Sequence, residues 1–115
     1  MRFTKVQTRK WQDLIAFLED YAPADHAILI RRKPMGKMDE GEIDYNGSRY
    51  QITVKSTLNY AAAVDALLEE WAHALAGYRG GDSHEREDHG PHWGEAYATL
   101  RQLYIDWRDH REPKL

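Results

Sequence analysis

The sequence of 115 residues contains no cysteine. This absence excludes disulfide bonds, zinc fingers built on cysteine and a cysteine nucleophile. The chain also lacks any run of about 20 apolar residues, the length that a membrane-spanning helix needs. Its charged start, MRFTKVQTRKWQDL, lacks the apolar stretch of a signal peptide. We therefore expect a cytoplasmic protein without a membrane segment.

An excess of basic residues is also missing. Sixteen Lys and Arg stand against 19 Asp and Glu, which gives a formal net charge of -3. Proteins that bind a phosphate backbone are usually basic, because the backbone is a dense row of negative charges. We therefore expect no strong binding to nucleic acid.

The chain is rich in aromatic residues, with four Trp and seven Tyr. Hydrophobic residues make up 42% of it, enough for one core in a chain of this size. The length suits one domain and little more. We predict a single domain over residues 1–115 with an aromatic-rich core.

Hydrophobic periodicity and turn signals predict six elements. They are a helix over 8–21, strands over 27–32, 43–45 and 49–55, and helices over 60–78 and 91–108. Asn46-Gly47 is typical of a hairpin between the last two strands, and Asn59 is a suitable N-cap for the helix after them. The predicted class is α+β, with a small antiparallel three-stranded sheet against helices.

The predicted helix over 60–78 is unusual because it lacks a charged, solvated face. One face is apolar, and the other holds alanines and a glycine, with Glu69 and His73 between them. Small residues let another element approach closely, and a polar pair in a crowded place needs partners. Glu69 and His73 are four residues apart, so they project side by side. They form either an ion pair on a partly exposed helix or two ligands of one metal ion.

A second histidine cluster, His89-Gly90-Pro91-His92-Trp93, opens the next predicted helix. If the two helices pack together, His89 or His92 can approach Glu69 and His73. Three ligands from two helices with an open fourth position describe a catalytic zinc site. The alternative is that Gly90-Pro91 only starts a helix and that His92 lies on its surface.

The segment LLEEWAHALAGY, followed by HGPHW, resembles the SprT-like zinc metallopeptidases and the related minimal gluzincins. The active helix of that family carries HExxH, and a third His follows in an HG-x-x-W/F-like motif that opens the next helix. The resemblance runs in element order from about Ala27 to Trp107. It implies a zincin-like α+β fold: an N-terminal helix, a small sheet, an active-site helix and a ligand-bearing C-terminal helix.

The resemblance also implies roles for individual residues. His73 takes the place of the second zinc ligand, His89 that of the third, and Glu70 that of the general base. Glu69 stands where the family has its first zinc-binding His, and zinc accepts carboxylate oxygen as well as imidazole. The implied cofactor is zinc held by Glu69, His73 and His89, the implied reaction is peptide-bond hydrolysis, and the implied partner is a protein or peptide.

Two other functions fit the same residues. The change at Glu69 favours a catalytically inactive relative that acts as a protein-binding module. Glu70-x-x-His73 also matches the spacing found in di-iron carboxylate proteins. The di-iron hypothesis ranks last, because the motif occurs once and the predicted strands do not suit a four-helix bundle.

Several other polar residues receive simpler predictions. His26 and His84 have no evident partners and are expected in a turn and a loop. The run Arg31-Arg32-Lys33 is expected at a solvated strand end, with contact to an acidic partner as the alternative. His92 and Tyr78 are both candidates to stabilise a developing oxyanion.

Overall fold

The structure, a computed structural model, describes residues 2–78 and 90–111. Its elements are helix α1 (Lys5–Tyr21), strands β1 (Ala27–Lys33), β2 (Gly41–Tyr45) and β3 (Arg49–Lys55), and helices α2 (Tyr60–Leu75) and α3 (Pro91–Arg111). The predicted α+β class is confirmed. None of the helices in these two ranges is both long and apolar enough to cross a membrane.

Helix α2 is defined by caps at both ends. The Asn59 side chain accepts a hydrogen bond from the Ala62 amide at 2.9 Å, as predicted for an N-cap. At the other end Gly77 has a φ of +82°, and the Tyr78 amide donates to the His73 carbonyl at 3.0 Å. This pattern is a Schellman motif, which stops a helix with a left-handed glycine. The helix therefore ends before Tyr78, the predicted last residue.

The sheet is mixed, with the strand order β1-β3-β2. Strand β2 pairs with β3 antiparallel, whereas β1 pairs with β3 in parallel. The prediction of an antiparallel sheet is therefore wrong for β1. Residues 34–40 carry the chain around the end of β3 to its other edge. This crossing is held by hydrogen bonds from the Lys55 amide to the Glu40 carbonyl (2.8 Å) and from the Ser56 amide to the Lys33 carbonyl (2.9 Å).

The predicted hairpin at Asn46-Gly47 joins β2 and β3. Only Gly47 has a positive φ, of +96°. Asn46 contributes through its side chain, whose oxygen accepts hydrogen bonds from the amides of Ser48 and Arg49, both at 2.9 Å. The turn thus depends on glycine for its conformation and on asparagine for its hydrogen bonds.

The core lies between one face of the sheet and the helices. Strand β3 buries Tyr50, Ile52 and Val54 there. Trp71 of α2 is the largest fully buried side chain. Its indole nitrogen donates to the Ala22 carbonyl at 2.9 Å, so the polar atom of this ring is satisfied inside the core.

The run Arg31-Arg32-Lys33 is not a uniformly solvated strand end. Arg31 and Lys33 are exposed, but Arg32 is partly buried. It shares the alternating face of β1 with Ile28 and Ile30, which pack against the core. The period of two residues in a strand therefore turns the middle arginine inward.

Candidate metal centre

The predicted site residues Glu69, Glu70 and His73 lie on α2, a helix that other elements cover on several sides. Helix α2 packs against β2, β3 and α3. Its buried residues are Ala63, Val64, Ala66, Leu67, Leu68, Trp71, Ala72 and Ala74. Glu69, Glu70 and His73 lie among them and are partly buried. The prediction that Glu69 and His73 occupy a crowded part of the molecule is confirmed.

Glu69 lies in an acidic environment. Burial raises the pKa of its carboxyl above the ordinary value of 4.5, and the neighbouring carboxylates of Asp65 and Glu40 raise it further. The protonated form of Glu69 donates a hydrogen bond to Asp65, which also raises this pKa. The position thus favours a proton or another positive charge beside Glu69.

Asp65 is connected to α3. Its Oδ1 accepts a hydrogen bond from the Tyr97 hydroxyl at 2.7 Å and another from Nη1 of Arg101 at 3.1 Å. Burial and the bond to Asp65 raise the pKa of Tyr97 to about 12. Tyr97 is not among the site residues predicted from the sequence. The spacing of Asp65 and Glu69, four residues apart on a helix, was the signal that could have identified the acidic pair.

Trp93 joins the start of α3 to the same part of α2. Its indole nitrogen donates to the Glu69 carbonyl at 3.1 Å. Its ring centroid lies 5.7 Å from that of His73, and the ring stacks on Tyr97 at 4.9 Å and 9°. The aromatic pair on α3 therefore covers the segment of α2 that carries Glu69 and His73.

Glu70 lies against the first residue of β2. A Cβ atom placed on Gly41 would come within 3.2 Å of Glu70 Cγ and 3.4 Å of its Oε2. Only glycine fits at this position without a shift of its neighbour. Glu70 therefore lies beside an edge strand of the sheet, a placement that the sequence analysis did not predict.

The structure brings together some of the predicted site residues. Glu69, Glu70 and His73 share one segment of α2, and the Tyr78 ring lies 6.1 Å from that of His73. Within residues 2–78 and 90–111, no three His, Asp or Glu side chains are placed to hold a metal ion together. The predicted third ligand, His89, lies outside the described residues, as does His84.

The alternative third ligand, His92, is exposed on α3. It lines a surface groove with Leu75 and Ala76, at the end of α2. Comparison with models of protein families, with curated proteins and with solved structures found no match to this chain.

His26, predicted to have no partner, has two. Its Nε2 lies 3.2 Å from the Tyr45 hydroxyl and 4.0 Å from Asp25 Oδ2. Asp25 in turn accepts a hydrogen bond from the Tyr50 hydroxyl at 2.6 Å. The residue does precede β1 in a bend, as expected for a turn residue, but it belongs to a small polar and aromatic cluster.

The raised pKa of Glu69 predicts that the metal-free protein loses stability as the pH rises. Between the ordinary value of 4.5 and the raised one, the folded state binds more protons than the unfolded state. The proton on Glu69 stabilises the folded state to its full extent below the ordinary pKa, and this stabilisation is lost as the pH rises through the raised pKa. Glu69→Gln should therefore raise the melting temperature of EDTA-treated protein at neutral pH, measured by circular dichroism.

Glu95→Gln is the matched control, because it removes the same charge from an exposed position on α3. It should leave the melting temperature almost unchanged. Equal shifts in the Glu69 and Glu95 variants would show that the effect comes from net charge and not from the acidic environment of Glu69.

Proposed function

We propose that this protein is a zinc-dependent metallopeptidase-like hydrolase of zincin type, with zinc held by Glu69, His73 and His89. The observation that supports it best is the contact of Trp93 with both Glu69 and His73. This contact holds the start of α3 beside Glu69 and His73, the two proposed ligands on α2. His89, the proposed third ligand, directly precedes Gly90 in the sequence, next to the first residue of α3.

The donor atoms fit this metal. Zinc binds imidazole nitrogen and carboxylate oxygen, and a set of two His and one Glu leaves a position open for chemistry. The acidic surroundings of Glu69, which favour a nearby positive charge, also support a cation there. Bound zinc would supply Lewis acidity at the scissile carbonyl.

The residues of the chain would carry the proton transfers. Glu70 would accept the proton of the attacking water and deliver it to the leaving amine. Its place against Gly41 fixes it at the edge of the sheet. Trp93, through its bond to the Glu69 carbonyl, would act as a positioning residue for the helix segment that carries Glu69 and Glu70. A peptide or protein is the substrate class that this chemistry serves.

A protein-binding module without catalysis is the second candidate. Glu69 favours it, because a Glu replaces the first zinc-binding His of the resembling family, and a changed ligand is typical of a relative that has lost catalysis. Such a module would keep the fold and act through its surface. The two candidates differ in whether the protein hydrolyses peptides, and both can hold zinc.

We expect protein purified without added metal to contain about one zinc per chain, the stoichiometry of a single tetrahedral site. His73→Ala and His89→Ala should each lose the zinc, because each removes a proposed ligand. His92→Ala should keep it, and so should His110→Ala, an exposed histidine at the far end of α3. Elemental analysis of the purified variants measures all four results.

If the His92 variant loses zinc and the His89 variant keeps it, His92 and not His89 is the third zinc ligand. No zinc in the unchanged protein, together with no thermal shift when zinc is added, would overturn the metal site. The binding module would then be the better proposal.

A further inference from the structure

A surface cavity lies where the start of α1 meets the ends of β1 and β3. Its volume is about 550 Å³, within the range of small-molecule sites. Two aromatic residues, Phe3 and Trp11, form its apolar part, and its polar lining consists of two arginines and three hydroxyl residues: Arg2, Arg32, Thr8, Ser56 and Thr57. None of the described residues that line it is acidic. In a chain of net charge -3, this is a local concentration of positive charge.

Arg32 is held rigidly in this cavity. Its Nη2 donates to the carbonyls of Ser56 and Leu58, both at 2.9 Å, and to that of Lys55 at 3.4 Å. The guanidinium carbon lies 3.7 Å from the centroid of the Phe3 ring, a cation–π arrangement. A guanidinium fixed in this way loses little conformational entropy when a ligand binds.

The charge of Arg32 is not neutralised within the described chain. No ion pair of Arg32 lies among residues 2–78 and 90–111, and its Nη1 donates to none of their groups. Its Nε is buried without a hydrogen-bond partner there. Burial lowers the pKa of this guanidinium, although arginine stays protonated in proteins. A partly buried cation without a carboxylate partner is costly, so an anion at this place would be favoured.

From this geometry we propose that the cavity between α1 and the end of β3 binds a phosphate group, as inorganic phosphate or a phosphate monoester. Arg2 and Arg32 would supply charge-assisted hydrogen bonds, and Thr8 and Thr57 would supply hydroxyl donors. A phosphate monoester presents three strong acceptor oxygens, which matches this number of donors better than the two oxygens of a carboxylate do. The site is separate from the candidate metal centre and does not depend on it.

The probe is inorganic phosphate, added to the ¹⁵N-labelled protein at constant ionic strength, with sodium chloride as the reference. We expect saturable shifts of the amides of Thr8, Ser56 and Thr57. Arg2→Gln should weaken binding by about tenfold, the loss of one charge-assisted hydrogen bond. Arg9→Gln removes the same charge from an exposed residue of α1 that does not line the cavity, and it should leave binding unchanged.

Two further variants test the site without relying on Arg2. Thr57→Val changes an exposed residue and should weaken binding in a protein that remains folded. Arg32→Gln should abolish binding, and its melting temperature shows whether the carbonyl contacts of Arg32 are also needed for folding. Glycerol phosphate should bind at the same amides if monoesters are accepted, and its failure would restrict the site to free phosphate.

Four results would overturn the proposal. The first is the absence of saturable shifts at these amides in the unchanged protein. The second is equal weakening in the Arg2 and Arg9 variants, which indicates a general effect of charge. The third is a set of shifts centred on residues 69–73, which places the phosphate at the candidate metal centre. Equal affinity for acetate would overturn the assignment of phosphate as the ligand class.

Discussion

Replacement of Glu69 by His should raise peptide hydrolysis above that of the unchanged protein by about tenfold or more, a change that needs only about 1.4 kcal/mol in the barrier. His supplies a neutral ligand, so the net charge of the proposed zinc site rises by one unit. A more positive zinc is a stronger Lewis acid. The substitution also removes the carboxyl that lies beside Asp65 and Glu40. Casein and a broad peptide library are suitable substrates for the assay.

The double variant Glu69→His with Glu70→Gln is the control for mechanism. It should lose the gain, because the amide cannot accept the proton of water. Each variant needs a zinc analysis and a circular dichroism spectrum. If Glu69→His binds zinc, stays folded and cleaves nothing, the catalytic proposal loses its support and the binding module takes its place.

Trp71→Ala should destabilise the fold by about 3–5 kcal/mol, the range for loss of a large aromatic side chain from a core. Trp71 is fully buried, and its indole nitrogen is bonded to the Ala22 carbonyl just after α1. The substitution removes the ring and leaves that carbonyl without its donor. Because domains of this size are stable by only about 5–15 kcal/mol, a large part of the protein should be close to unfolding. Urea denaturation followed by circular dichroism measures the change.

Trp71→Phe separates the two contributions. It keeps most of the ring but lacks the indole donor, so the cost should be smaller, about 1–3 kcal/mol for the unsatisfied carbonyl. If Trp71→Ala lowers the free energy of unfolding by less than about 1 kcal/mol, the core between α1 and α2 does not depend on this residue. Since Trp71 lies between Glu70 and Ala72, zinc content should be measured in both variants as well.

Local signals in the sequence predicted the local parts of the fold. Asn59 caps α2 because its side chain and the amide that it accepts from are three residues apart. Asn46-Gly47 marks the hairpin because the turn needs a residue with positive φ. The partial burial of Glu69 and His73 followed from the small and apolar residues around them on one helix. In each case the decisive contacts lie within a few residues of the signal.

Contacts between distant segments were not predictable in the same way. The hydrogen bond of Tyr97 to Asp65 depends on how α3 is rotated against α2. The approach of Glu70 to Gly41 depends on which edge of the sheet β2 occupies. The inward position of Arg32 is different, because a local signal for it exists: Arg32 alternates with Ile30 along β1. The charge of the arginine led instead to the expectation of a solvated position.

The mixed sheet has a consequence for the order of folding. Strands β2 and β3 are joined by a tight turn, whereas Ala27 of β1 pairs with Arg49, 22 residues along the chain (49 − 27). Closing the longer loop costs more entropy and is slower. The hairpin can therefore form while β1 is still undocked, which leaves one edge of β3 open. An open strand edge is a template for other extended chains, and the pairing of β1 covers this edge of β3.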